Sequence, residues 1–142
     1  MHFPGYLLAI AAAATSVSAC TFAIDNRNSL AAFGGGGLTC QTFIYAKDDA
    51  DPFVDEPDAK GEITCAVSGG CADLDYNGQT YTFCHDGLRE LVNIASTASV
   101  QRQPDGVTVN LYPDGLDRAE GHGTPVDQYE RHAYWRGNIR CP

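Results

Sequence analysis

Within fifteen positions near the C-terminus the chain carries His122, Glu130, Arg131, His132 and Arg136, with Tyr129, Tyr134 and Trp135 beside them. These are the residue types that phosphodiester cleavage through a cyclic intermediate needs. One group must take the 2′-hydroxyl proton, one must give a proton to the leaving oxygen, and a cation must meet the charge that develops on phosphorus. The aromatic rings supply stacking surfaces for a base. If the chain is an enzyme, its candidates are His122, Glu130, His132 and Arg136. The spacing argues against it. Adjacent residues on a strand point to opposite faces, so of Glu130, Arg131 and His132 only the first and last share one. Small microbial ribonucleases draw their acid, base and arginine from several strands. The plainer reading puts Tyr134 and Trp135 partly in the core with the charges at the rim, and makes the chain a binding protein rather than a catalyst.

Other constellations are weaker. His85 and Asp86 are adjacent, but Asp86 reads as a helix cap and His85 as a surface residue. Cys84-His85 has no C-x-x-C or H-x-x-x-H companion, so no zinc site is expected. Asp49, Asp51 and Asp55 miss the D-x-D-x-D-G register of a calcium loop, with Pro52 between them. Gly34 to Gly37 lacks the Lys-Ser/Thr ending of a phosphate cradle and reads as a connector. Gly121-His122-Gly123-Thr124-Pro125 resembles the histidine segment of subtilisin-like proteases, but no serine segment accompanies it and it reads as a loop. No metal and no cofactor is expected.

Charge narrows the partners. A formal net charge of −9 argues against binding nucleic acid through a positive field. Seven of the 18 acidic residues lie between Asp48 and Glu62, so the charge is local. Arg118, Arg131, Arg136 and Arg140 give the C-terminal part a more basic character, suited to a small anionic ligand or simply to a solvated surface.

The N-terminus points to export. Tyr6 to Ala14 is a short apolar run followed by Val17-Ser18-Ala19, the pattern of a secretory signal peptide, although no Lys or Arg precedes it. The run is shorter than the roughly 20 residues that a membrane-spanning helix needs, so no transmembrane segment is expected. The expected division is a signal peptide over residues 1–19 and one secreted cysteine-rich domain over 20–142. Val17-Ser18-Ala19-Cys20 also resembles a bacterial lipoprotein box, which would place a lipid on the Cys20 sulfur. Parity favours a bridge instead: Cys20, Cys40, Cys65, Cys71, Cys84 and Cys141 make an even set in an oxidising compartment. Fifteen connectivities are open to six cysteines. The flexible Ala66–Gly70 segment suggests a local Cys65–Cys71 bridge, and the position of Cys141 suggests a terminal staple to Cys20.

The elements follow from pattern. Thr21–Ile24 reads as a first strand, with a polar turn at Asp25 to Ser29, and Gln41–Tyr45 and Glu62–Val67 read as further strands. Lys47 to Lys60 reads as an exposed acidic loop. Asn77-Gly78 between alternating flanks predicts a β-hairpin with a type I′ turn. Leu88, Leu91, Val92, Ala95 and Ala98 form one apolar stripe at helical spacing and predict a helix from about Asp86 to Val100. Val107–Tyr112 and Ala133–Cys141 return as strands. The expected fold class is α+β: a small disulfide-stapled domain with one antiparallel sheet and one main helix packed on it.

This plan resembles the fungal small secreted cysteine-rich effectors, and the segment Tyr81-Thr82-Phe83-Cys84-His85-Asp86-Gly87-Leu88-Arg89-Glu90-Leu91-Val92-Asn93-Ile94 is similar to the cysteine-then-helix segment of some effector and killer-toxin-like domains. The resemblance implies a virulence or host-interaction protein released into the host extracellular space, the apoplast, where it binds a host or competitor protein or a cell-wall component. It also implies two alternatives, a small secreted hydrolase of ribonuclease-like type and a killer-toxin-like antimicrobial protein.

Overall fold

The computed structural model describes residues 19–31, 36–89, 93–94, 97–103, 105–112, 123–124 and 127–141. Its strands are β1 (Ala19–Ala31), β2 (Gly37–Tyr45), β3 (Ala59–Glu62), β4 (Gly70–Tyr76), β5 (Gln79–His85), β6 (Leu88–Arg89), β7 (Asn93–Ile94), β8 (Ala98–Arg102), β9 (Thr108–Leu111), β10 (Gly123–Thr124) and β11 (Asp127–Arg140). They form a five-stranded sheet in the order β10-β11-β1-β2-β3, a four-stranded sheet in the order β4-β5-β8-β9, and the small β6-β7 pair, with every pairing antiparallel.

The fold is therefore all-β, and the expected α+β architecture with a main helix is overturned: no helix occurs among the described residues. The Asp86–Val100 stripe fits two periods at once. Leu88 and Ile94 are partners across the β6-β7 pair, and Ala98 and Val100 alternate inward along β8. Leu91, Val92 and Ala95 lie outside the described residues. Gly87 opens this segment at φ 131°, a left-handed backbone far from helical values. The Asp86 N–H, expected at a helix start, instead donates to the Thr97 carbonyl. Pairing against β5, which Tyr81, Phe83 and His85 make buried on one face, overrides the local helical spacing.

β1 is the central element. It is also longer than expected: Asp25 to Ser29 is not a turn but strand, paired on one side with β11 and on the other with β2. Its alternation sends Phe22 and Ile24 toward the four-stranded sheet, where Phe22 packs at 5.0 Å from Tyr81 and 6.3 Å from Phe83 between ring centroids. Ala23 faces the other way and joins Phe43, Tyr45, Ala50 and Trp135 in a second, smaller core. The segment over this outer face is the acidic stretch after Lys47, so that stretch is not simply an exposed loop. Ala50 and Pro52 are buried, Thr21 Oγ1 donates to the Lys47 carbonyl and accepts from the Ala50 N–H, and Ala59–Glu62 is already β3. Its carboxylates point outward or into short local contacts, such as Lys47 Nζ to Asp55 at 2.9 Å.

Other expectations hold locally. Asn77 and Gly78 take φ 49° and 73° in the two-residue turn between β4 and β5. β2 contains the expected Gln41–Tyr45, β9 covers the middle of the expected Val107–Tyr112, and β11 covers all of the expected Ala133–Cys141 but Cys141, while of the expected Glu62–Val67 strand only Glu62 lies in a strand.

The six cysteines form three disulfides: Cys20–Cys141, Cys40–Cys65 and Cys71–Cys84. The expected local Cys65–Cys71 bridge is not formed. Cys71 sits directly opposite Cys84 on the β4-β5 ladder, and Cys65, two residues past Ile63, reaches Cys40 on β2 through a segment whose Ile63 N–H bonds the Cys40 carbonyl. Cys20 is tied to Cys141, so its sulfur has no place for a lipid.

Loop closure ranks the bridges. A cross-link spanning 121 residues restricts the unfolded chain more than one spanning 13, with expected contributions of about 5 and about 3 kcal/mol. The pair of changes Cys20→Ser and Cys141→Ser is therefore expected to lower unfolding free energy in urea more than Cys71→Ser with Cys84→Ser, and the reverse order would refute this ranking.

Candidate functional site

Two neighbouring positions in the middle of β1 are both polar and buried. Asp25 is 5% exposed and Asn26 fully buried, and they lie opposite Ala133 and His132 on β11. Arg131 Nε donates to Asp25 Oδ1 at 2.6 Å, its Nη2 donates to the Pro52 carbonyl at 2.6 Å, and its guanidinium stacks 4.9 Å over the Phe53 ring. The ring of Phe53 in turn meets Trp135 edge-on at 6.2 Å. This one arginine thus fastens the acidic stretch to the outer face of the sheet. Burial pushes the Asp25 carboxyl above its ordinary value of 3.8, against the downward pull of Arg131. Such a pair is structural: Asp25 is closed to solvent, and Arg131, with 19% of its side chain exposed, spends its guanidinium on Asp25, Pro52 and Phe53.

The residues singled out for acid–base chemistry do not assemble into one site. His132 is 6% exposed, in the interior opposite Asn26. Arg136, four residues further along β11 and so about 13 Å away, is exposed, with its guanidinium 5.7 Å over the Tyr112 ring. Glu130 pairs through its backbone with Asn28. His122 and Arg118 lie outside the described residues. His85 is not a surface residue: it is 5% exposed, its Nδ1 accepts the Gly87 N–H at 3.2 Å and its Nε2 donates to the Thr64 carbonyl at 2.8 Å. Both ring nitrogens are used in joining the chain before β4 to the chain after β5, and Cys84 beside it is in a disulfide. Among the described residues no group of three His, Cys, Asp or Glu is placed to hold a metal ion.

Among the described residues, two clefts on the surface stand out. One, of about 220 Å³, is polar and lined by Asp49, Tyr112, Trp135, Arg136 and Gly137. A backbone bridge builds it: the Tyr112 and Trp135 N–H groups donate to each other's carbonyls at 3.2 and 2.8 Å, which fastens the end of β9 to β11. Gly137 makes room for the acidic stretch, since a Cβ there would stand 2.6 Å from Asp49 Oδ1, and Asp49 itself holds φ 50°. The other cleft, of about 210 Å³, is mainly apolar and lies between the sheets, lined by Phe22, Tyr81, Val100, Val107 and Val109 with Arg102 and Arg140 at its mouth. Arg102 donates from Nε to both Asp105 oxygens, at 3.2 and 3.0 Å, and from Nη1 to the Arg140 carbonyl at 3.1 Å.

Of these lining residues only Trp135, Arg136 and Arg140 stood out in the sequence, as members of the C-terminal cluster. Tyr112 and Arg102 carry a usable signal, each ending a strand beside a Pro-Asp-Gly turn. Asp49 was weighed in the sequence only as a calcium ligand, and Tyr81 only as part of a hairpin flank.

Fold and clefts together define an all-β, three-disulfide protein of two packed sheets whose described histidines are buried. No family model, no curated protein and no solved structure matches the chain.

Removing one partner of a buried pair leaves the other uncompensated. Arg131→Met is expected to destabilise the fold by about 3–5 kcal/mol, with the double change Asp25→Leu and Arg131→Met recovering most of that loss in denaturant titrations. The Asp105 carboxyl behaves differently. Hydrogen bonds from Arg102 hold it below 3.8, so the folded state binds its proton less readily than the unfolded chain. Its contribution is in full above pH 3.8 and is lost as pH falls through the lower folded value. Melting temperatures from pH 7 to pH 2 should therefore fall less steeply at the acid end in Asp105→Asn than in the parent, and parallel curves would count against the clasp.

Proposed function

We propose that this chain is an exported, disulfide-stapled binding protein that acts outside the producing cell, in the manner of the fungal small secreted cysteine-rich effectors, by recognising a host or competitor protein or a cell-wall component without catalysis. The observation that carries this reading is the fate of the groups capable of acid–base work. His85, His132 and Asp25 are each 6% exposed or less. What the surface offers instead is the Tyr112–Arg136 stack beside Trp135, and aromatic and arginine side chains are those that dominate binding interfaces.

Export is supported from two sides. Three disulfides suit an oxidising compartment. Among the described residues no helix is long and apolar enough to cross a membrane, and the sequence before Cys20 has the pattern of a cleaved signal.

The test has two parts. Secreted protein should show an intact mass for a chain beginning near Cys20, lighter by about six hydrogens for its three bridges. A lipid mass or retention in the cell would remove the export reading. The purified protein should also leave RNA uncut beyond a buffer control; cleavage that disappears with Arg136→Ala while the melting temperature stays constant would make the chain a ribonuclease-like hydrolase instead.

A further inference from the structure

The apolar cleft between the sheets has features that core packing does not explain. Tyr81 on β5 and Arg102 on β8 are register partners, so both side chains rise from the inner face of the four-stranded sheet at its open end. The same face continues through Val100, Val107 and Val109, and Phe22 closes the wall from β1. Tyr81 is 1% exposed, yet among the described residues its hydroxyl meets no hydrogen-bond partner. A buried hydroxyl left unpaired is unfavourable, and tyrosine in a core otherwise finds an acceptor. The missing element at this wall is thus an acceptor. The charge at the mouth has the matching sign: Arg140 is exposed there, and Arg102 is held across the opening by Asp105 and by the Arg140 carbonyl. Asp105 offsets the charge of Arg102, so in a chain of net charge −9 Arg140 supplies the net positive charge at the mouth, with the N–H groups of Arg102 beside it.

We propose that this cleft binds a small apolar carboxylate, with its hydrocarbon body between Phe22, Val100, Val107 and Val109 and its anionic end at Arg140 and Arg102, where it can also accept from Tyr81. The size sets the class. At about 210 Å³ the cleft is below the 300–1,000 Å³ usual for drug-sized ligands, so the body is a short chain or a single ring. The inference deepens the binding-protein reading and rests on it for its biological sense. The two fail separately, because neither the secreted mass nor the RNA assay depends on this cleft.

The test uses octanoate on the full secreted protein, followed by amide NMR shifts and calorimetry. Octanoate should shift the amides of Val100, Val107 and Val109 and bind at least tenfold more tightly than octanol or octylamine, which keep the chain but lose the anion. Arg140→Met, which keeps an apolar stem and leaves the carbonyl that Arg102 uses, should weaken octanoate about tenfold. Tyr81→Phe should also weaken it while leaving the melting temperature of the free protein equal or higher, since it deletes an unpaired hydroxyl and keeps the ring. Octanol binding as tightly as octanoate, or unchanged affinity in Arg140→Met, would overturn the carboxylate assignment. No shift at the three valines would overturn the site.

Discussion

The structure depends on β1 being covered on both faces. A strand paired on both edges has its backbone satisfied, but alternation then requires a separate apolar environment above and below it. The four-stranded sheet supplies one through Tyr81, Phe83, Val100 and Leu111. Among the described residues no second sheet covers the other face; the acidic stretch after β2 serves there, and it contains few apolar residues to do so. It lends Ala50, Pro52 and Phe53, and the Asp25–Arg131 pair fastens it down. Burying a charge is unfavourable unless it is paired and hydrogen-bonded. Arg131 meets that condition with a carboxylate, a carbonyl and an aromatic ring. One side chain therefore joins three segments distant in sequence.

That constraint also decides where the described histidines and the clefts lie. Drawing the middle of β11 into the interior buries His132 with it, and the loop before β4 claims both nitrogens of His85. Reactive groups are used as structural ones. The two clefts arise where the sheets cannot close on each other. At one corner β9 reaches β11 through the Tyr112–Trp135 bridge, leaving the polar cleft beside Gly137. At the open end between the sheets, arginines end the strands, and the space behind them is lined by valines and rings. Both clefts sit on hydrogen-bonded strands stapled by disulfides, so little ordering would be left for a ligand to impose.

Legibility varied with how local the cause was. The Asn77-Gly78 turn was readable because the two positive-φ positions and their flanks lie within a few residues. The β9 alternation was readable for the same reason. The Asp86–Val100 segment was misread because Leu88, Ala98 and their neighbours satisfy a helical period, and only the presence of β5 beside them selects strands. Asp25–Ser29 looked like a turn because its polar residues have no visible compensation nearby: the Arg131 that neutralises Asp25 is 106 residues away. The candidate catalytic cluster was legible as a set of residue types, but its burial pattern was not.

By itself, then, the sequence determined what depends on composition and short range: an even set of cysteines suited to an oxidising compartment, an acidic net charge, a hairpin turn, and an apolar N-terminal run with the pattern of an export signal. The tertiary structure alone decided the disulfide partners of Cys40, Cys65, Cys71 and Cys84, the all-β class, the burial of His85 and His132 and the two clefts described. The physical reason is that each of these is a contact between segments far apart in the chain, and strand pairing takes its stability from partners that no local window contains.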